Sequence, residues 1–390
     1  MLIGCEKDKR VPQDIAGMSW DTIEARAKGQ TVHMMMWMGD PLINAYMNEY
    51  VRPELKNRFD INLEIASGQG SQIVNHLITE KEAGKSTSAL DMVWINGETF
   101  YQLRQIDALE GPFVDKLPNS KWINWDNPFI GMDFQQPVNG MECPWGNVQL
   151  TFIYDSARVI QPPVNFAALP EWIRSHPGKF TIPLEFTGMT VLKSWMISMA
   201  EKKEEFYGPF SEETYNKYSS MLWDTLNELK PYLWKEGKSF PESLSATHQM
   251  YAAGELAFTF SNNDSEVDNK VKTGFFPKTS KAYFIEPGTI QNSHYLGLIK
   301  GGQSNLAAMV VINFLISPEA QSRKMDPEIW GDGTVLDIQR LPEKWQETFN
   351  SIPNRQRAPK RDVKKALMEP DPEYMIRLYK DYRDHVTDIR

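Results

Sequence analysis

Cysteine is almost missing from this chain: Cys5 and Cys143 are the two among 390 residues. Two thiols leave no disulfide framework to staple a core. Long apolar runs are missing too, so no stretch has the length to span a bilayer as a helix. Histidine is sparse. The six (His33, His76, His176, His248, His294, His385) are scattered, and none has a His or Cys partner at ligand spacing, so no metal site is assigned. Neither a Gly-x-Ser-x-Gly elbow nor a His-Glu-x-x-His helix occurs, which removes two common hydrolase signatures. A basic excess is also lacking. The 42 Lys and Arg stand against 51 Asp and Glu, a net charge of −9 and the wrong sign for a nucleic-acid face.

What is present is globular. The chain is 41% hydrophobic and 24% charged, and 390 residues can bury two cores. Tryptophan (12) and methionine (19) are plentiful. Most of them fill cores, although large flat side chains also suit a cleft that closes on a small molecule. Cys143 reads as a small buried residue with no activating base near it.

The first third alternates. A tether and a short helix (20–28) precede an apolar strand, Thr31 to Trp37, expected to be buried on both faces. It ends at Met38-Gly39-Asp40-Pro41, and a helix follows over 42–58. A second strand, 61–66, runs into Ser67-Gly68-Gln69-Gly70-Ser71 and a helix over 72–83. A third, 90–95, ends in Asn96-Gly97-Glu98 before a helix over 100–106. Strand–helix–strand–helix–strand specifies a parallel sheet with helices on both faces. Ligands bind such sheets at the carboxyl ends of the strands. Each loop taken alone is an ordinary turn, but the three together line one edge.

Further along, 111–140 is irregular, and 141–154 reads as a strand crossing into a second lobe. A short strand over 179–183 and a helix from 186 to about 206 are expected, then helices over 212–229 and 248–253. Gly254 to Phe260 is a turn feeding a buried strand that stops at Ser261-Asn262-Asn263-Asp264. A strand over 295–300 leads to an apolar helix from Ser304 to Ile316, closed by Ser317-Pro318-Glu319-Ala320. The tail, 342–390, is helical and charged.

The run Ile312-Asn313-Phe314-Leu315-Ile316-Ser317-Pro318-Glu319-Ala320-Gln321 resembles a phrase in the late helix of extracellular solute-binding proteins of ABC importers. Trp37-Met38-Gly39-Asp40-Pro41 and Asp91 to Glu98 are similar to the YnjB-type group within the type II periplasmic binding fold, which spermidine/putrescine, thiamine and iron binding proteins share. The resemblance implies an α/β, two-lobed molecule, each lobe a mainly parallel sheet flanked by helices, with a ligand cleft between them. It places a tether at 1–30, one lobe at 31–141 plus 268–318 and the other at 145–264 plus 322–390. Crossings fall near 142–146, 261–267 and 318–327. It further implies a monomeric solute receptor, not an enzyme, that hands its cargo to a permease and ATPase. Leu2-Ile3-Gly4-Cys5 resembles a lipobox, with Cys5 the lipidated residue of a periplasmic or extracytoplasmic protein.

The candidate ligand contacts are Trp37, Gly39, Asp40, Gly68, Gln69, Gly70, Ser71, Asn96, Glu98, Trp145, Thr187, Gly188, Asn262, Asp264 and Tyr295. Helix starts at Gly68–Ser71 and Thr187–Gly188 offer free amides to an anion, or are simply capped. Trp37 and Trp145 near Asp40, Glu98 and Asp264 suggest an aromatic and acidic box for a cation. Trp94, inside its strand, reads as core. The expected solute is therefore cationic or zwitterionic, thiamine-like or polyamine-like, with amino acids and phosphonates also compatible. No catalytic residue, cofactor or metal is assigned. The alternatives are a two-lobed α/β enzyme of transferase or lyase type, which would need a nucleophile and base that no motif supplies, and a lipid-anchored surface interaction protein.

Overall fold

The computed structural model describes residues 15–353 and 356–387; Cys5 and its lipobox-like run lie outside them. Three strands open the first lobe: β1 Thr31–Met36, β2 Asn62–Ser67 and β3 Met92–Ile95. β1 pairs parallel with both neighbours, Met34 lying opposite Ile65 and Met92. β3 is buried throughout, whereas β1 alternates, because His33 turns outward to Glu64 and Asp91. The loops after the strands start helices for readable reasons. Asp40 accepts from the amides of Leu42 (2.7 Å) and Ile43 (3.3 Å), and Pro41 needs no donor at the first helical position. Gly70, with φ +44°, turns the chain into the helix Ser71–Glu82, a conformation that favours glycine.

The remaining strands are β4 Leu109–Glu110, the hairpin β5 Met132–Asp133 and β6 Gln136–Pro137, β7 Glu142–Gln149, β8 Thr151–Asp155, β9 Phe258–Ser261, β10 Ser280–Tyr283, β11 Thr289–Ile299 and β12 Ala366–Leu367. β11 is 11 residues long and buried along its whole length. Its later half pairs antiparallel with β3, Leu296 opposite Trp94, and with β4. β7 accompanies it for most of its length, from Gly297 opposite Glu142 to Gln291 opposite Gln149. Cys143, Trp145, Leu296 and Leu298 belong to the first core, while Leu150 and Ile290 belong to the second. Two adjacent strands thus run from one core into the other.

The second lobe has its own sheet, β10–β8–β9, and here the expectation of a mainly parallel sheet is corrected. Ile153 pairs antiparallel with both Ala282 and Thr259. β9 and β10 both run opposite to β8, so neither pairing is the parallel βαβ crossover expected. Residues 179–183 form no strand. Helices Phe186–Ser198, Glu212–Leu229 and Pro372–Tyr382 cover this core through Leu192, Trp195, Leu222, Tyr374 and Leu378.

Packing also redraws the expected boundaries. Val267, Phe276 and Ala282 lie against Ile153 and Tyr251, so the chain from 267 to 285 stays with the second sheet. It returns along β11 rather than through 261–267. Trp330, Leu341 and Phe349 join the first core, and Leu367, Tyr374 and Leu378 join the second. The last crossing therefore falls after Ile352 instead of near 318–327. Ala320 is buried in the first core together with Leu315 and Ile316, so the helix Pro318–Met325 stays with that core.

Glu142 opens β7 fully buried, and neither of its carboxyl oxygens has a hydrogen-bond partner among the described residues. Burial, reinforced by Asp133, pushes its carboxyl well above the ordinary range. The folded protein then holds a proton that the unfolded chain releases. That stability is complete below the unfolded pKa and is lost as pH rises through the folded one. Glu142→Gln is expected to gain about 1–3 kcal/mol over the parent at neutral pH. The gain should shrink towards zero as the pH falls into the ordinary carboxylate range, about 4. Thermal melts across that interval check this; a difference independent of pH contradicts it.

Candidate functional site

A cleft enclosing about 880 Å³, its open mouth included, is lined from both lobes. Trp37 and Asp40 follow β1, Gln69 follows β2, and Trp94 and Asn96 come from the end of β3. The second lobe supplies Glu185, Phe186 and Thr187 and the residues after β9, with Glu266 and Asn269 from the helix Glu266–Lys272. The middle of β11, Asn292 to His294, forms the back together with Trp330 and Asp332.

The back wall is aromatic. The rings of Trp94 and His294 lie 4.8 Å apart, and Trp330 lies 5.9 Å from each. Trp145 packs edge-on behind Trp94 at 5.1 Å and Trp330 at 5.2 Å. His294 is held by Asp332, with Nε2 2.9 Å from Oδ2, and Lys324 pairs with the same oxygen. Burial alone would raise Asp332, but Lys324 and His294 outweigh it and hold the carboxyl at about 2. Burial lowers the pKa of His294 against the pull of Asp332. The ring is therefore neutral, with Nε2–H donating to the carboxylate. Nδ1 is buried with no partner among the described residues.

This arrangement needs Gly146. Trp145 is an extra residue on β7, opposite the step from His294 to Tyr295, and this bulge brings Gly146 face to face with His294. A Cβ at Gly146 would overlap His294 Nε2 and Asp332 Oδ2.

The other wall is acidic. Lys270 Nζ reaches Asp40 Oδ2 at 2.5 Å and Glu266 Oε1 at 3.3 Å. Glu266 also meets His248 Nε2 at 3.3 Å and accepts from the Ser261 hydroxyl. Burial would raise Glu266, yet His248, Lys270 and Ser261 hold it at about 2. Glu185 differs: burial raises its carboxyl above the ordinary value, and the Thr187 side chain and backbone offset this in part. Its Oε1 accepts from the Thr187 amide at 3.2 Å, so a carboxylate already occupies the start of helix Phe186–Ser198.

Of the residues singled out in the sequence, Trp37, Asp40, Gln69, Asn96, Thr187 and Asn262 come together around the cleft. Asn262 Nδ2 donates to Thr187 Oγ1 at 3.0 Å. The others lie elsewhere. Trp145 is fully buried behind the wall; Trp94 belongs to the first core, as read, and also lines the cleft. Asp264 is buried in an ion pair with Arg361 at 2.7 Å. Tyr295 is buried and donates to the carbonyls of Ile130 (3.0 Å) and Met132 (3.1 Å). Gly39 lies by the Trp37 ring, Gly68 against Met35 and Gly188 against Pro183. Gly70 and Ser71 start their helix, and Glu98 precedes the helix Thr99–Gln105, all outside the lining. Glu185, His294, Trp330 and Asp332 were not singled out. Among the described residues, no group of three or more His, Cys, Asp or Glu side chains could hold a metal ion.

Gly146→Ala is expected to cost about 1–3 kcal/mol by overpacking and to disturb the tryptophan wall with it. Thermal melts and tryptophan emission report both effects; an unchanged melt and spectrum would show that the bulge tolerates a methyl group.

A family model described as bacterial extracellular solute-binding protein matches residues 49–350. Protein YnjB of Escherichia coli K12 is 36% identical over 355 residues, which are 90% of this chain and 89% of that protein. Among solved structures, the spermidine/putrescine substrate-binding protein PotD of Streptococcus pneumoniae matches with a TM-score of 0.60 at 14% identity, over 91% of this chain and 98% of that one. The periplasmic binding protein AfuA of Actinobacillus pleuropneumoniae, carrying fructose-6-phosphate, gives 0.62 at 12%, over 92% and 98%. Those two likenesses establish the two-lobed α/β fold; the family model and YnjB establish kinship. The chain belongs to the bacterial extracellular solute-binding proteins of ABC-transporter type.

Proposed function

We propose that the cleft captures a small organic cation as the lobes close on it, and that the loaded protein delivers it to a permease and its ATPase. One observation carries the ligand class. The lining combines four carboxylates (Asp40, Glu185, Glu266, Asp332) with Trp37, Trp94, Phe186 and Trp330, and among the described residues it includes no Lys or Arg. Aromatic faces attract a cation by about 0.5–2 kcal/mol each. A zwitterion is less well served. The helix start at Phe186 is capped by Glu185, and the start at Ser71 lies outside the lining. A thiamine-like or polyamine-like solute fits these walls.

Closure follows from the connections. β7 and β11 pass through both cores beside the cleft, so bending them moves one wall against the other. A solute that touches both walls favours the closed form by its differential affinity. Lipidation at Cys5, a periplasmic location and a monomeric state complete the proposal.

Calorimetry with thiamine, spermidine, an amino acid and a sugar phosphate tests it. Heat is expected with a cation and not with the sugar phosphate. Trp330→Leu should weaken the cation by about 0.5–2 kcal/mol. Binding of the sugar phosphate with no response to either cation contradicts the reading.

A further inference from the structure

The next step rests on the cation reading and concerns how many charges the solute carries. Three of the four lining carboxylates are already matched within the protein. Asp40 and Glu266 share Lys270, and Glu266 also meets His248. Asp332 is matched by Lys324, with His294 on the same oxygen. Glu185 makes no ion pair among the described residues; its carboxyl accepts from the Thr187 amide at 3.2 Å. The same cavity is lined by Trp94 and His294, 8% and 6% exposed, whose Nε1 and Nδ1 have no partner among the described residues. The cavity thus presents one acid outside the ion pairs and an aromatic wall.

We propose that Glu185 is the counter-charge of the solute, and that the cleft selects a singly charged organic cation with a flat or apolar body over a polyamine. A monocation sets its charge at Glu185 and its body on Trp94 and Trp330, and no charge is left over. A second ammonium would enter a desolvated space whose other carboxylates are taken, and a buried unpaired charge is costly. It could be satisfied only by displacing Lys270 or Lys324. Lys324 is fully buried and also donates to the Gly333 carbonyl at 2.8 Å.

Titrations at fixed ionic strength test this with thiamine and N,N,N-trimethylanilinium as monocations, and putrescine and spermidine as polycations. A monocation is expected to bind roughly ten- to a hundredfold more tightly than either polyamine, and Glu185→Gln to lose a similar factor for it. Gln keeps an acceptor for the Thr187 amide, and a melt of the variant is recorded alongside. Should the variant fail to fold, the series on the parent protein decides alone. Spermidine or putrescine binding as tightly as the monocations overturns the charge selection but leaves the cation reading standing. Undiminished affinity in folded Glu185→Gln overturns the role of Glu185. No binding by either monocation overturns the inference, and if an anion binds instead, the cation reading falls with it.

Discussion

β7 and β11 hold the molecule together, and the cleft depends on how they pair. Leu296 and Cys143 face each other in the first core, while Gln291 and Gln149 face each other at the edge of the second. Between them sits the extra residue, Trp145, and beside it a glycine that leaves room for His294 and Asp332. That room lets Asp332 reach His294 and Lys324, which orients the imidazole against Trp94 and Trp330. The aromatic wall is thus a consequence of one bulge and one missing side chain.

The acidic wall is held by different means. Lys270 ties Asp40, in the loop after β1, to Glu266, in a helix packed on the second sheet. The same helix sends Asn269 to the Trp330 carbonyl and Lys272 to Glu328, both in the segment that joins the first core. Buried ion pairs of this kind add little net stability, because desolvation offsets their attraction. Their effect here is local: Lys270 bridges the two walls in this conformation, and the pairs keep Glu266 and Asp332 ionised. Glu185 stands outside that network and lines the same cleft.

The sequence showed the first lobe well because its strands are short apolar runs bounded by Gly, Asp and Asn. Helices 212–229 and 305–315 were equally plain from their apolar spacing. The second sheet and the crossings were not legible, since strand direction and choice of core are settled by partners distant in the chain. The cleft shows the same division. Asp40, Asn96 and Asn262 end strands and could be found from that alone. His294 could not. Gln291-Asn292-Ser293-His294 reads as a polar loop, yet it is mid-strand and buried. Asn147 accepts from Gln291, Glu369 from Asn292 and Asp332 from His294, while the Ser293 hydroxyl donates to the Phe129 carbonyl. Trp145 was misplaced for a related reason: it is the extra residue of the bulge on β7, lies buried in the first core, and no spacing rule encodes that.

The central claim is that this cleft holds an organic cation, and the solute it carries in its own cell tests that most directly. Native mass spectrometry of the protein isolated without denaturation, followed by release of the bound molecule, gives its mass and charge. A positively charged organic molecule is the expected result. A sugar phosphate, another anion or a metal ion in its place would contradict the account.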